Sequence, residues 1–172
     1  MTRTAARELA IQLGFSVAAA KAVPEDALEE FFAPDHYTTM APEGPLYEHK
    51  PGGQMDYIRQ SVLGVSERRE ELDAYIAQYA RGWRPERIDR AAAAILRQAM
   101  YEILYMPDIP PSSSIDEAVE LAKGYEDADV VSFINGVLGG FYRAQIEGGE
   151  ETAETAEVEA PETGAPDEER AE

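Results

Sequence analysis

The sequence contains no cysteine, which excludes disulfide bonds, thiolate zinc sites and catalysis by a thiol nucleophile. It has no window of eighteen consecutive apolar residues, so no membrane-spanning helix is expected. It also has no basic start followed by a long apolar run, so no secretory signal is expected. These absences favour a cytoplasmic protein.

Basic residues are scarce. The chain has 15 Lys and Arg against 34 Asp and Glu, and its formal charge is −19. Residues 147–172 hold eleven acids and one base, so this segment contributes −10 and the preceding residues contribute −9. Indiscriminate nucleic-acid binding needs clustered Lys and Arg, because their contacts with phosphates release counterions from the nucleic acid. The acidic composition of this chain argues against such binding. A small, local RNA site stays compatible with the charge.

The residues of the common catalytic motifs are missing as well. His36 and His49 are the only histidines, and no HExxH or carboxylate-spaced cluster surrounds them. No glycine-rich phosphate-binding motif occurs, and the serines Ser112 to Ser114 lack the glycines of a nucleophile elbow. The sequence therefore predicts a protein that is not an enzyme and that has no cofactor or metal site.

Two further motifs have ordinary structural interpretations. Gly52-Gly53-Gln54 is the tripeptide with which peptide-release factors act on peptidyl-tRNA, but alone it is better explained as a turn before a helix. The acids Glu126, Asp127 and Asp129 have no nucleophile or base positioned beside them. We interpret them as the polar joint between two helices.

Helical periodicity is what the sequence has in abundance. Apolar residues recur at three- and four-residue spacing through most of the chain, and no internal repeat is visible. Residues 33–53 contain four prolines and three glycines and predict an extended loop. The prediction is an all-α domain of about seven helices over residues 1–146, followed by a disordered acidic tail over residues 147–172. The predicted helices cover residues 2–20, 24–32, 54–64, 67–80 and 86–105, a segment that begins at Ser114, and residues 129–145.

Two of these segments carry local signals of their own. In "SIDEAVELAK", Ser114 and Glu117 fit a capping box at a helix start. In "INGVLGG", the Asn-Gly pair is a hairpin signal, but the surrounding apolar residues form a helical stripe and no strands lie nearby. We therefore predict a helix there, in which the glycines allow close packing against a neighbour.

The first helix has the composition of a small RNA platform. At about 100° per residue, Arg3, Arg7, Ile11 and Phe15 form a row that drifts from the edge of the apolar stripe to the opposite face. Two guanidinium groups neutralise phosphates, and an exposed ring stacks on a base of a single strand. The open alternative is that Ile11 and Phe15 pack on another helix while the arginines are only solvated.

Several motifs, in order, resemble the NusB transcription antitermination family. They are "RAAAAILRQAMYEIL", a loop with prolines, "SIDEAVELAKGY" and "SFINGVLGGFYR", and the early "RELAIQLGF" resembles the first helix of that family. Residues 21–80 match only in helical character. The resemblance implies an all-helical fold in two small bundles, without catalytic activity.

The resemblance also implies a function. Family members are RNA-binding adaptors that pair with the ribosomal small-subunit protein NusE, bind the boxA element of ribosomal RNA, and join an RNA polymerase antitermination complex. By resemblance, the RNA-binding residues are Arg3, Arg7, Phe15 and Phe133, with Asp129 as a carboxylate beside them that tempers phosphate affinity. Phe133 lies roughly 80° from the centre of its apolar stripe, so an edge position and a core position are both open.

Two departures from the family pattern keep other functions open. Thr2, Thr4, Ala5 and Ala6 interrupt the usual basic run, and Gly139-Gly140 stands where the family usually has Asp. One alternative is therefore a NusB-fold interaction module with weakened or lost RNA binding. Another is the N-terminal domain of a ribosomal RNA cytosine methyltransferase, although no glycine-rich nucleotide-binding domain follows. For the acidic tail we expect a solubilising role, with competition against RNA for Arg3 and Arg7 as the alternative, and the family resemblance leaves monomer and homodimer open.

Overall fold

The computed structural model describes residues 1–148, and this part of the chain consists of helices and connections without a β-strand. The all-α prediction is confirmed. The predicted disordered tail lies almost wholly outside the described residues. No helix within residues 1–148 is long and apolar enough to cross a membrane. The α-helices are α1 Arg3–Ala20, α2 Pro24–Phe31, α3 Pro34–Tyr37, α4 Met55–Glu67, α5 Arg69–Tyr79, α6 Arg90–Tyr105, α7 Pro111–Tyr125 and α8 Ala128–Tyr142, and a π-helical turn Arg143–Glu147 follows α8.

The helix α6 is the centre of the fold. It contacts α1, α4, α5, α7 and α8. The expected two small bundles therefore share one helix, and their cores are continuous. Burying each of the largest apolar side chains stabilises the fold by about 1.5–3 kcal/mol. The largest apolar side chains with no exposed surface are Leu9, Ile58, Leu72, Leu96, Met100, Ile134, Leu138 and Phe141.

The segment between α2 and α4 differs from the predicted extended loop. It contains α3 and three 3-10 turns, at Thr38–Glu43, Pro45–Tyr47 and Gly52–Gln54. Proline fits the first turn of a helix, where its missing N–H has no partner to lose, and Pro34 and Pro45 begin their helical turns in this way. The buried Tyr37 donates a hydrogen bond of 2.8 Å to the carbonyl oxygen of His49 and closes the segment. The predicted turn at Gly52–Gln54 is confirmed.

The start of α6 lies four residues later than predicted. Pro85–Arg87 forms a separate 3-10 turn, and α6 begins at Arg90. Asp89 is the N-cap, because its carboxylate accepts a hydrogen bond of 2.8 Å from the Ala92 N–H. The apolar periodicity of the sequence extends through the Pro85–Arg87 turn and therefore does not mark the helix start. The cap at Asp89 sets it.

The predicted capping box at Ser114 is wrong. The helix α7 begins at Pro111, which is pre-organised for a first helical position, so Ser114 lies inside the helix. It is 1% exposed, and its hydroxyl donates a hydrogen bond of 2.7 Å to the carboxylate of Glu102 on α6. Ser114 therefore joins two helices instead of starting one.

The predicted helix through "INGVLGG" is confirmed as α8, but close packing does not explain its glycines. A Cβ at Gly136 would meet nothing within 4 Å, and one at Gly140 would make ordinary contact, 3.6 Å from the Tyr79 ring. The close approach occurs at Gly64 in α4, where a Cβ would lie 2.1 Å from Cζ of Tyr101. The packing of α4 on α6 therefore requires glycine at position 64.

Candidate functional site

Arg7 lies elsewhere than the sequence predicted. It is 5% exposed and faces α6, where its Nε donates to Glu102 Oε1 at 2.7 Å and its Nη2 donates to Oε2 at 3.2 Å. A third contact joins Nη1 to Glu117 on α7 at 3.3 Å. The expected exposed edge position is therefore wrong for Arg7, because a buried carboxylate on α6 draws the guanidinium inward.

Glu102 is the centre of a buried polar network that joins four helices. It accepts from Arg7 on α1, from the Tyr57 hydroxyl on α4 and from Ser114 on α7. Gln98, one turn before Glu102, donates to the Tyr57 hydroxyl at 3.1 Å. No buried side-chain nitrogen or oxygen within residues 1–148 lacks a partner, so the network is satisfied and holds α1, α4, α6 and α7 in one arrangement.

Arg7 and Glu102 each stabilise the charged form of the other, which burial alone would disfavour. Burial by itself raises the pKa of Glu102, but the hydrogen bonds and charge of Arg7 outweigh it, and the pKa is lowered. Burial likewise disfavours the charged Arg7, yet Glu102 raises the Arg7 pKa overall. The pKa of Tyr57 is raised by burial and then by the Glu102 charge. Arg7 and Glu102 therefore remain an ion pair, and Tyr57 remains a hydrogen-bond donor.

Arg3 stays on the surface one turn before Arg7. Its Nε donates a hydrogen bond of 2.7 Å to Gln54, and its guanidinium lies 4.2 Å from the centre of the Tyr57 ring. These two contacts hold the guanidinium against the exposed side of the Glu102 network. Arg3 therefore presents a positioned positive charge at the start of α1.

Phe15 is exposed as predicted, and it stands between two grooves. Its side chain is 37% exposed near the C-terminal end of α1. One groove is lined by Ile11, Leu121 and Tyr125 among others and is largely apolar. The other contains several cationic side chains from α5 and α6. A ring in this position is accessible for stacking on a planar ligand.

Phe133 is half-buried, and Trp83, which the sequence analysis missed, covers part of it. The two ring centres lie 4.5 Å apart at 35°, and Trp83 is 37% exposed. Trp83 is the only tryptophan of the chain, and it lies in the α5–α6 connection, which holds three arginines within residues 80–89. That combination of an aromatic residue and arginines was the available sequence signal. It places a paired aromatic surface between α8 and the α5–α6 connection.

The structure brings two of the five predicted site residues, Phe133 and Phe15, to the α5–α6 connection. Phe133 contacts Trp83 at its beginning, and Phe15 shares a groove with Ile88 near its end. Asp129 is exposed in the first turn of α8, four residues before Phe133 and on the same helical face. Arg3 lies about 18 Å from Phe15 along α1, and Arg7 is buried beneath the surface.

Glu126, at the end of α7, forms a carboxyl pair with Asp89 that the sequence did not reveal. Burial, a hydrogen bond with Asp89 and the charges of Asp89 and Asp127 raise the pKa of Glu126 to about 7. Asp89 also caps α6, so this pair joins the start of α6 to the end of α7. Glu126 and Asp127 lie between α7 and α8 as predicted, whereas the contact with Asp89 links α7 to α6. Within residues 1–148, no group of three or more His, Asp or Glu side chains could hold a metal ion.

The Glu126 pair predicts a pH effect on stability. A raised pKa in the folded state means that the protonated group contributes stability below its ordinary value of 4.5, and that this stability is lost as the pH rises through about 7. Glu126→Gln should therefore be more stable than the natural chain at pH 8, and the difference in Tm should shrink toward pH 5. Asp89→Asn retains the cap, removes the neighbouring charge and should weaken the same pH dependence. An unchanged Tm profile in Glu126→Gln would contradict this assignment.

Comparison with known proteins gives a consistent set of relatives. The model of the NusB family matches residues 4–143. The transcription antitermination protein NusB of Symbiobacterium thermophilum is 41% identical over 143 residues, which cover 83% of this chain and 90% of that protein. The NusB protein of Carboxydothermus hydrogenoformans is 41% identical over 139 residues, which cover 81% of this chain and 91% of that protein.

Solved structures show the same fold. T. maritima NusB superposes with a TM-score of 0.64 at 26% identity, and the match covers 83% of this chain and 92% of that one. A chain in a structure described as "Crystal Structure of a Plectonemic RNA Supercoil" has a TM-score of 0.67 at 22% identity, with 84% and 96% covered. At that identity the second match establishes the helical architecture alone.

Proposed function

We propose, since this chain belongs to the NusB family of transcription antitermination proteins, that it is an RNA-binding adaptor for boxA-type ribosomal RNA. In this proposal it binds that RNA together with the ribosomal protein NusE and supports processive transcription by RNA polymerase. Relatives at 41% identity carry the name of transcription antitermination protein, which supports the general role. The RNA sequence and the partner belong to the proposal itself.

The observation that carries the proposal is the exposed ring of Phe15 on the rim of a groove with cationic side chains. Single-stranded RNA is bound where an aromatic ring stacks on a base while cations neutralise the phosphates. Arg3 adds a positioned charge at the other end of α1. The proposal therefore assigns base stacking to Phe15 and phosphate contact to Arg3.

The remaining predicted residues have different parts in the proposal. Phe133, together with Trp83, offers a second aromatic surface, and the exposed Asp129 reduces phosphate affinity beside it by repulsion. Arg7 acts indirectly, because Glu102 and Glu117 hold its guanidinium. Its role is to fix α1, and through α1 the positions of Arg3 and Phe15.

The test is fluorescence anisotropy with a labelled boxA-like RNA, with and without NusE. Loss of one base stack weakens binding by about 1–3 kcal/mol, so Phe15→Ala should lower the affinity by about 5- to 150-fold. Phe15→Tyr keeps the ring and should retain affinity. Val23→Ala, which shortens another exposed apolar side chain, is the matched control. If the natural chain fails to bind at low salt in both conditions, the RNA proposal is wrong.

A second candidate function is a NusB-fold interaction module without RNA recognition. The burial of Arg7 favours it, because Arg3 alone remains exposed from the expected arginine pair. This candidate predicts that NusE binds the chain with the same affinity whether or not RNA is present, and that Phe15→Ala changes nothing. Isothermal titration calorimetry of NusE into the natural chain and into Phe15→Ala, each with and without RNA, separates the two functions.

A further inference from the structure

A groove lies between the C-terminal end of α1, the helix α5 and the start of α6. It has a volume of about 470 Å³. Apolar and small side chains line it, and one of them is the exposed Phe15. We call it the basic groove because four cationic side chains line it, which are Lys21, Arg69, Arg90 and Arg97.

The charge of the basic groove is opposite to that of the chain as a whole. Asp73 is the only acid among its lining residues, whereas the complete chain has a formal charge of −19. Asp73 accepts from Arg97 at 2.6 Å and lies 3.6 Å from Arg69. One carboxylate therefore neutralises only part of the charge from two arginines.

Lys21 and Arg90 add charge that no carboxylate of the described residues neutralises. Both side chains are exposed, and neither forms an ion pair within residues 1–148. Two cations without carboxylate partners face the same space as the Arg69 and Arg97 pair. The groove therefore has an excess of positive charge that an anionic ligand would neutralise.

Lys21 occupies a position where lysine is not the favoured residue. It ends α1 in the left-handed conformation, with φ 52° and ψ 37°. Glycine is the usual residue there, because a Cβ is unfavourable in that region. The left-handed backbone therefore does not favour lysine at position 21, whereas its charge suits both the negative C-terminal end of α1 and an anion in the groove.

We propose that the basic groove binds the phosphates of a single-stranded RNA whose base stacks on Phe15. This inference rests on the proposed function and extends it, because it assigns backbone contacts to Lys21, Arg69 and Arg90. It also resolves the shortage of arginines at the start of α1, since the missing phosphate contacts are supplied at its end. Arg97 is a positioning residue, because its short bond to Asp73 joins α5 and α6 beneath the other cations.

An acidic protein segment is the competing ligand for such a groove. The groove favours RNA over that ligand because the exposed ring lies beside the cations, and base stacking with phosphate neutralisation uses both features together. An acidic peptide would use only the charges. The two ligands are therefore distinguished by whether binding depends on Phe15.

The test is a triple variant, Lys21→Gly with Arg69→Ala and Arg90→Ala, studied by anisotropy with boxA-like RNA over a salt series. The slope of log K against log salt is negative, and each lost phosphate contact on a single strand reduces its magnitude by about 0.7. Three lost contacts should therefore reduce the magnitude by about 2. Affinity at low salt should fall about tenfold or more. Lys21→Gly relieves the left-handed strain and Arg69 is about half-exposed, so the triple variant should fold, as circular dichroism will check.

The matched control removes the same charge elsewhere. Arg59, Lys50 and Lys123 are exposed and do not line the basic groove, so replacing all three by alanine should leave most of the affinity and slope intact. Equal affinity and slope in the groove variant and the natural chain would overturn the groove proposal and leave the RNA-binding function standing. Failure of the natural chain to bind RNA would overturn both. Loss of binding to a poly-glutamate peptide with unchanged RNA binding would assign the groove to a protein ligand and overturn the proposal.

Discussion

Glu102→Ala should lower the free energy of unfolding by about 3–5 kcal/mol, because it leaves the buried guanidinium of Arg7 without its main partner. Glu102 is 0% exposed, and Arg7, Tyr57 and Ser114 each lose an acceptor when it is removed. Urea denaturation followed by circular dichroism measures the change. Folded proteins are only marginally stable, so a loss of this size would leave a substantial fraction of the molecules unfolded at physiological temperature.

The matched control for this variant is Asp73→Ala. Asp73 also pairs with an arginine, but its side chain is 41% exposed, so its loss should cost about 1 kcal/mol or less. The sign of the acid response follows from the same network. Because the pKa of Glu102 is lowered on folding, its contribution is present at neutral pH and is lost as the pH falls through the folded value. A Glu102→Ala variant within 1 kcal/mol of the natural chain would show that Glu102 is not the centre of the network.

Gly64→Ala should destabilise the protein by about 1–3 kcal/mol, although alanine is the better helix former. The added Cβ would lie 2.1 Å from both Cζ and the hydroxyl oxygen of Tyr101, which is 7% exposed. Tyr101 also contacts the ring of Tyr105, with centres 5.2 Å apart, so its ring cannot move aside at low cost. Chemical denaturation of the variant measures the loss.

Gly136→Ala is the matched control, and it should raise the free energy of unfolding instead of lowering it. A Cβ there meets nothing within 4 Å, and position 136 lies inside α8, so the substitution should raise stability by about 0.5–1 kcal/mol. Tyr101→Leu should partly rescue Gly64→Ala, because it removes the atoms that the Cβ meets. Equal effects of the substitutions at positions 64 and 136 would contradict the assigned contact between α4 and α6.

The residues by which the sequence resembles its family also meet in space. Arg7 comes from "RELAIQLGF", Glu102 from "RQAMYEIL" and Ser114 from "SIDEAVELAK", and the three side chains contact one another through the Glu102 carboxylate. These motifs therefore identify the scaffold because they build its central polar network. The proposed chemistry of RNA binding belongs to other residues, which lie on the surface that this network supports.

Much of the candidate site followed from the sequence because it depends on helical spacing. The position of Phe15 on an exposed face follows from about 100° per residue along α1 and is confirmed by its exposure. Asp129 is exposed in a first turn for the same local reason. The roles of these residues in RNA binding remain predictions.

By itself, the sequence determined the all-α class and the approximate helices, because apolar periodicity is a local property of the chain. Tertiary structure alone decided that Arg7 is buried and that Ser114 donates a hydrogen bond to Glu102 on α6. It also decided that Gly64 packs against the ring of Tyr101 and that four cationic side chains line one groove. Each of these results depends on partners that are distant in the chain. A side chain at the edge of a helical stripe faces solvent or a partner according to what packs opposite it, and a single helix contains no information about that neighbour.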